Sequence, residues 1–325
     1  MLYTLKVNEL KNKSKVAKRI ISTFISVFVL INLIAIFHSY KFTHFKNKPQ
    51  NSKTAAPTSL TIGQKISILA FGISNPRPEN IVFPVKKYET IDLNSNKRIE
   101  CWYIKCNNPK GTVILFHGYG GNKSSMLDKA AIFNSLGYHT LLVDFMGSGG
   151  SEGNQTTIGF FEADQVRTCF DYLQKKGEQH IYLFGTSMGA VAIMKAISDF
   201  DIHPKGIIIE CPFGSMYQTV CARFKIMNVP TFPMAALLVF WGGIQNGFWA
   251  FGHNPTSYAK KINCPILLLY GQKDEKVSKR EIDEIFTNLK GVKQLKTYPE
   301  AAHENYLIKY HNQWTIDVTA FLAAN

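Results

Sequence analysis

The 325 residues, 46% of them hydrophobic, are enough for one large domain with attachments. Gly 23 and Pro 13 without a period exclude collagen-like and low-complexity chains, and six cysteines are too few for a disulfide-held scaffold. The net charge of +14 is uneven: ten of 37 basic residues and one of 23 acidic residues fall in 1–60, so that segment carries +9 and the rest +5. A body this weakly basic offers no stripe for nucleic acid.

Ile20–Phe37 reads IISTFISVFVLINLIAIF, with 14 of 18 residues apolar and none charged. Continued to Tyr40 as a helix, it extends about 31 Å, enough to span a bilayer. A core helix would carry a polar stripe, and a signal peptide would end in small residues. Here only Ser22, Thr23, Ser26 and Asn32 interrupt, and His38-Ser39-Tyr40-Lys41 follows. The reading is an uncleaved single-pass anchor over 20–40, after a basic tail at 1–19. Lys6, Lys11, Lys13, Lys15, Lys18 and Arg19 precede the span, against Lys41, Lys46, Lys48 and Lys53 after it. That bias favours a cytoplasmic N-terminus with the body on the opposite side. Residues 41–60 read as a polar, Pro-containing tether, and a body follows over 61–325.

The body alternates apolar strands with amphipathic helices. Strands are expected at 81–91, 98–105, 112–116, 138–143, 180–184, 205–210, 265–270 and 293–298. Helices are expected at 61–71, 123–136, 160–176, 188–198, 278–289 and 304–323. The pattern predicts an α/β fold with a mostly parallel sheet covered on both faces. Residues 215–258 break the rhythm with Phe224, Phe232, Phe240, Trp241, Phe248, Trp249 and Phe251. They read as a helical insertion that caps a pocket.

Gly185-Thr186-Ser187-Met188-Gly189 fits G-x-S-x-G. Alone the pattern is weak, but it stands between an expected strand and an expected helix, where a nucleophile elbow needs it. A serine hydroxyl is a poor nucleophile until a base takes its proton. In this arrangement the acid and then the histidine follow the serine along the chain. Asp274 lies just past the strand 265–270, with Glu275 as the substitute acid. His303 follows the strand 293–298. All three fall at the ends of strands that share one edge if parallel. His303 is then the base and Asp274 its orienting partner. His117-Gly118-Tyr119-Gly120-Gly121, after the strand 112–116, is placed to complete an oxyanion hole from the backbone N–H groups of Tyr119 and Met188. The same glycines match neither G-x-G-x-x-G nor a Gly-Lys-Ser/Thr phosphate loop. His117, His139, His180, His203, His253 and His311 read as structural.

With these residues in view the chain resembles the α/β-hydrolase family. The carriers are His117-Gly118-Tyr119-Gly120, the loop Asp144-Phe145-Met146-Gly147-Ser148-Gly149-Gly150-Ser151, the elbow at 185–189, Asp274 and His303. The resemblance covers roughly 80–325 and looks closest to membrane-anchored and serine-peptidase-like small esterases and acyl hydrolases. It departs at Met146, where related loops often carry arginine. It implies a serine hydrolase acting on a hydrophobic or lipid-like ester through an acyl-enzyme, without a cofactor. A peptidase or amidase, a thioesterase, and a non-catalytic tethered binding domain are the alternatives. No Cys or His spacing suits a metal site, and Cys101, Cys106, Cys169, Cys211, Cys221 and Cys264 read as unpaired thiols.

Overall fold

The computed structural model describes residues 2–46, Thr54 and 61–325. Its centre is an eight-stranded sheet in the order β1-β2-β4-β3-β5-β6-β7-β8. The strands are β1 (Tyr88–Asn94), β2 (Arg98–Ile104), β3 (Thr112–Phe116), β4 (His139–Val143), β5 (Ile181–Thr186), β6 (Gly206–Glu210), β7 (Ile266–Gly271) and β8 (Lys293–Tyr298). β2 runs antiparallel to both β1 and β4, and every other pairing is parallel.

The continuous apolar strands are the buried ones. In β3, β6 and β7 every residue is buried, as a sheet covered on both faces requires. Successive side chains go to opposite faces. Ile114, Phe116, Leu183, Ile207, Ile209 and Leu268 join one core, and Val113, Leu115, Phe184, Ile208, Leu267 and Leu269 the other. Helices α4 (Glu162–Lys175), α5 (Met188–Asp199) and α9 (Lys279–Asn288) cover the first face. On the second face lie α3 (Leu127–Ser135) and α11 (His311–Ala324), the latter inserting the fully buried Trp314.

Three expectations need correcting. Only the end of the stretch 81–91 is strand. Ile81, Val82 and Val85 stay exposed beside Pro84, whose ring cannot donate to a ladder. The helix expected over 123–136 opens as a 3₁₀ turn at Lys123–Met126, capped by Asn122, before α3. The helix expected over 304–323 is two, α10 (Tyr306–Lys309) and α11, separated at Tyr310, whose φ of −125° and ψ of 44° lie outside the helical region.

The N-terminal helix α1 runs from Leu2 to Thr43. From Asn12 to Thr43 it is long and apolar enough to cross a membrane. Most of the tether expected over 41–60 lies outside the described residues. Its first residues are not a free spacer: 41–43 complete α1, and Phe45, 4% exposed, is buried in the body. The helix α2 (Ile62–Phe71), closed at its start by a Thr61–Gln64 capping box, packs beside the end of α1, where His38 Nε2 meets the Leu69 carbonyl at 2.9 Å.

The 215–258 insertion is helical, with α6 (Met216–Ile226), α7 (Met234–Asn246) and α8 (Pro255–Tyr258). α7 packs against the C-terminal third of α1. Trp241 Nε1 donates to Asn32 Oδ1 at 2.9 Å, Gln245 Nε2 to the Ile36 carbonyl at 2.9 Å, and Ser39 Oγ to Gln245 Oε1 at 3.0 Å. His253 ties the insertion to the body. It is fully buried, with Nε2 3.0 Å from the Ile158 carbonyl and Nδ1 3.0 Å from the Tyr258 hydroxyl.

Burial depresses the His253 pKa to about 4 from an unfolded value near 6.5. The neutral form is the folded one, so its contribution is full above pH 6.5. As pH falls from 6.5 towards 4 the unfolded chain takes up the proton and about 3 kcal/mol is lost. Thermal melts of the detergent-solubilised protein are expected to drop across that window. His253→Gln, which keeps a donor for Ile158, is expected to flatten the drop.

Candidate active site

The strand β5 and the helix α5 meet at Ser187, whose φ of 52° and ψ of −109° are outside the usual regions for a side-chain-bearing residue. The flanking glycines make this turn possible. A Cβ on Gly185 would sit 2.6 Å from the Ala190 nitrogen, and one on Gly189 would sit 2.3 Å from the Phe116 carbonyl oxygen. The Ser187 N–H donates to the Glu210 carbonyl at 2.8 Å, fastening the turn to β6.

β7 and β8 deliver the partners to the same edge. Asp274, 7% exposed, follows β7, and its Oδ1 accepts from the N–H groups of Lys276 at 2.8 Å and Val277 at 2.9 Å. With that oxygen held by the backbone, Oδ2 faces His303 Nδ1 at 2.7 Å. His303 Nε2 lies 3.0 Å from Ser187 Oγ. The geometry assigns the tautomer: Nδ1–H donates to Asp274, leaving Nε2 to accept the serine proton. Glu275 on the same turn is exposed. The two loops are joined where the Lys273 N–H donates to the Ala301 carbonyl at 2.9 Å.

The loop after β3 lies beside the serine, since a Cβ on Gly118 would stand 3.7 Å from Ser187 Cβ. His117 is buried and orders this loop. Its Nδ1 donates to the Gly118 carbonyl at 2.8 Å and its Nε2 accepts from the Phe145 N–H at 3.1 Å. Burial lowers its pKa, which keeps it neutral in that role. Met188 opens α5, so its N–H is among those without an intrahelical partner. Tyr119 stands one residue past Gly118 with its phenol turned into the body (see below).

Behind the serine is a buried polar group that motif reading did not find. Glu210, at the end of β6, accepts from Thr186 Oγ1 at 2.8 Å and from Trp314 Nε1 at 2.7 Å, with Lys129 Nζ 3.6 Å away. Lys129 Nζ also donates to Asn305 Oδ1 at 2.7 Å, and Asn305 lies two residues past His303. The only trace in the sequence is an acid closing an otherwise apolar strand. The loop at 144–151 is held in a similar way. Asp144 pairs with Lys123, both fully buried, and Lys123 also reaches Glu100 at 2.6 Å. Met146, where the sequence departs from the resemblance, is buried. Arg77, from the segment before β1, grips the loop carbonyls of Gly149, Ser151 and Gly153.

Cys211 Sγ, an Asp274 oxygen and a His303 nitrogen lie within 4.8 Å of one another. The set is a poor metal site. Burial pushes the Cys211 thiol up, so no thiolate is available, and His303 Nδ1 is committed to Asp274.

Residues 107–240 match the family model described as serine aminopeptidase, S33. The protein YqkD of Bacillus subtilis is 24% identical over 228 residues, 69% of this chain and 75% of that protein. Lysophosphatidylserine lipase ABHD12 of Mus musculus is 24% identical over 198 residues, covering 56% of this chain. The chain spans about half the length of these lipase relatives (46%). Among solved structures, the Pyrococcus furiosus esterase Pf2001 superposes with a TM-score of 0.63 at 20% identity, over 77% of this chain and 99% of that one. The esterase EaEST of Exiguobacterium antarcticum gives 0.55 at 15% identity, over 72% and 100%. The sheet order, the elbow between β5 and α5, and these likenesses agree on the α/β-hydrolase fold and on a likeness to serine hydrolases of the carboxylesterase-like kind.

Proposed function

We propose that the protein cleaves carboxylic ester bonds through an acyl-enzyme, with Ser187 as nucleophile, His303 as general base and acid, and Asp274 as its orienting partner. The observation that carries this is His303 bridging the other two, at 3.0 Å to Ser187 Oγ and 2.7 Å to Asp274 Oδ2. Ser187 Oγ attacks the ester carbonyl carbon as its proton passes to His303 Nε2. The tetrahedral oxyanion is met by the N–H groups of Tyr119 and Met188, donors of a kind worth about 3–4 kcal/mol each. The C–O bond breaks, and the alcohol leaves with the proton from His303. Water then attacks the acyl-serine by the same route and the carboxylic acid departs. Asp274 stabilises the transient imidazolium without taking the proton.

The substrate is a hydrophobic, lipid-like ester presented at a membrane. α1 carries Phe24, Ile25, Phe28 and Leu30 exposed along the predicted span, a surface suited to acyl chains rather than water. Beside its C-terminal end stand further exposed apolar groups, Ile66, Leu69 and Phe71 of α2 and Ile244 of α7. The name of the lysophosphatidylserine lipase relatives points to the same class of substrate. The charge bias around α1 favours an N-terminus in the cytoplasm with the hydrolase domain across the membrane.

With p-nitrophenyl esters of increasing chain length, kcat/KM is expected to rise from acetyl to medium chains. Ser187→Ala and His303→Ala are each expected to lower kcat by at least about 10³-fold. Retained activity in Ser187→Ala would remove the serine from the mechanism, and equal turnover of an aminoacyl amide would favour the peptidase reading. For topology, protease added outside intact cells is expected to digest the hydrolase domain. Protection until the membrane is permeabilised would reverse the orientation.

A further inference from the structure

The end of α1 reaches the oxyanion loop. The Tyr119 phenol donates to the Phe42 carbonyl at 2.7 Å and accepts from Asn75 Nδ2 at 2.8 Å. Asn75 Nδ2 also donates to the Phe42 carbonyl at 3.1 Å. Phe42 lies in the last turn of α1, where carbonyls have no intrahelical partner. Its orphan acceptor is satisfied by these two side chains. The Phe42 and Tyr119 rings stack at 4.7 Å with an interplanar angle of 8°, and Phe45 closes the other side at 6.1 Å. Burial raises the phenol's pKa, so it remains a donor throughout the working range.

The chain beyond α1 is fastened as well. The Phe45 N–H donates to Asn154 O at 2.6 Å and the Lys46 N–H to Asn75 O at 2.9 Å. Thr43 O accepts from Thr156 at 2.9 Å, and Lys46 O from Arg77 at 3.0 Å. The anchor's last turn is therefore built into the rim of the site. The loop it meets, Gly118-Tyr119-Gly120-Gly121, is three-quarters glycine, a composition with little stiffness of its own.

We infer that Phe42, Asn75 and the Tyr119 side chain form a positioning clamp, through which the anchor helix fixes the backbone N–H of Tyr119 in the oxyanion hole. The inference rests on the acyl-enzyme reading above. An oxyanion donor acts only within a few tenths of an ångström of its place, and displacement by about 1 Å can cost 10²-fold in rate.

The test uses the full-length protein in detergent micelles. Tyr119→Phe keeps the ring and the backbone N–H and removes only the hydroxyl. It is expected to lower kcat about 5–50-fold with KM within twofold of wild type, to slow fluorophosphonate labelling in parallel, and to leave the melting temperature within a few degrees. Asn75→Ser is expected to act in the same direction. The double variant is expected to lose little beyond the worse single one, because the two residues serve one clamp. Unchanged kcat in Tyr119→Phe, or fully multiplicative losses in the double variant, would overturn the clamp. A fall in kcat matched by a rise in KM and a lower melting temperature would reduce it to a structural contact. Wild type that is not labelled, or Ser187→Ala that retains turnover, would instead defeat the underlying reading whatever Tyr119 does.

Discussion

The structure turns on a backbone constraint at Ser187. A side-chain-bearing residue held at φ 52° costs of order 1–3 kcal/mol, and the surrounding fold has to over-determine it. It does so from three sides. β5 and β6 grip the turn through the Glu210 carbonyl, Gly185 and Gly189 leave no room for a Cβ, and α5 begins at the next residue. The outcome is a hydroxyl raised at the sheet edge beside the N-terminus of a helix, where negative charge is favoured.

The parallel sheet is what makes this position useful. Because β5, β7 and β8 run the same way, the loops after all three open on one edge. Residues 116 positions apart in the chain then meet at 3.0 Å. Asp274 reaches His303 with one oxygen because two backbone N–H groups occupy the other. Beneath lies the buried group of Glu210, Lys129 and Trp314, joined at its edge by the half-buried Asn305, in which every charged atom has a partner. That pairing is the condition for charges to survive without water.

Much of this was legible in the sequence. The uniformly apolar runs at 112–116, 205–210 and 265–270 announced strands covered on both faces. The glycines around Ser187, together with acids and histidines placed just past such strands, singled out the residues that meet. What was not legible depends on contacts across long stretches of chain. Glu210 reads as an odd acid until Trp314 and Lys129 arrive beside it. Residues 41–46 look like the start of a spacer by composition, yet the segment is fixed by Tyr119, 77 positions on from Phe42, and by the loop at 154–156. Residues 81–87 failed in the opposite sense: apolar enough for a strand, but interrupted by Pro84 and left exposed.

α1 and the proposed chemistry belong to one assembly, with α7 against the flank of α1 and the last turn of α1 against the loop after β3. The central claim remains the activated serine. The most direct measurement is intact-protein and peptide mass spectrometry after rapid acid quench of the enzyme with an activated ester. The account predicts a transient mass gain equal to the acyl group less one hydrogen, on the peptide bearing Ser187, absent in Ser187→Ala. It further predicts that an activated carbamate ester, whose carbamoyl-serine hydrolyses far more slowly than an acyl-serine, leaves an adduct that accumulates on the same peptide. Ester turnover that leaves no adduct under either condition, or an adduct on another residue, would contradict it.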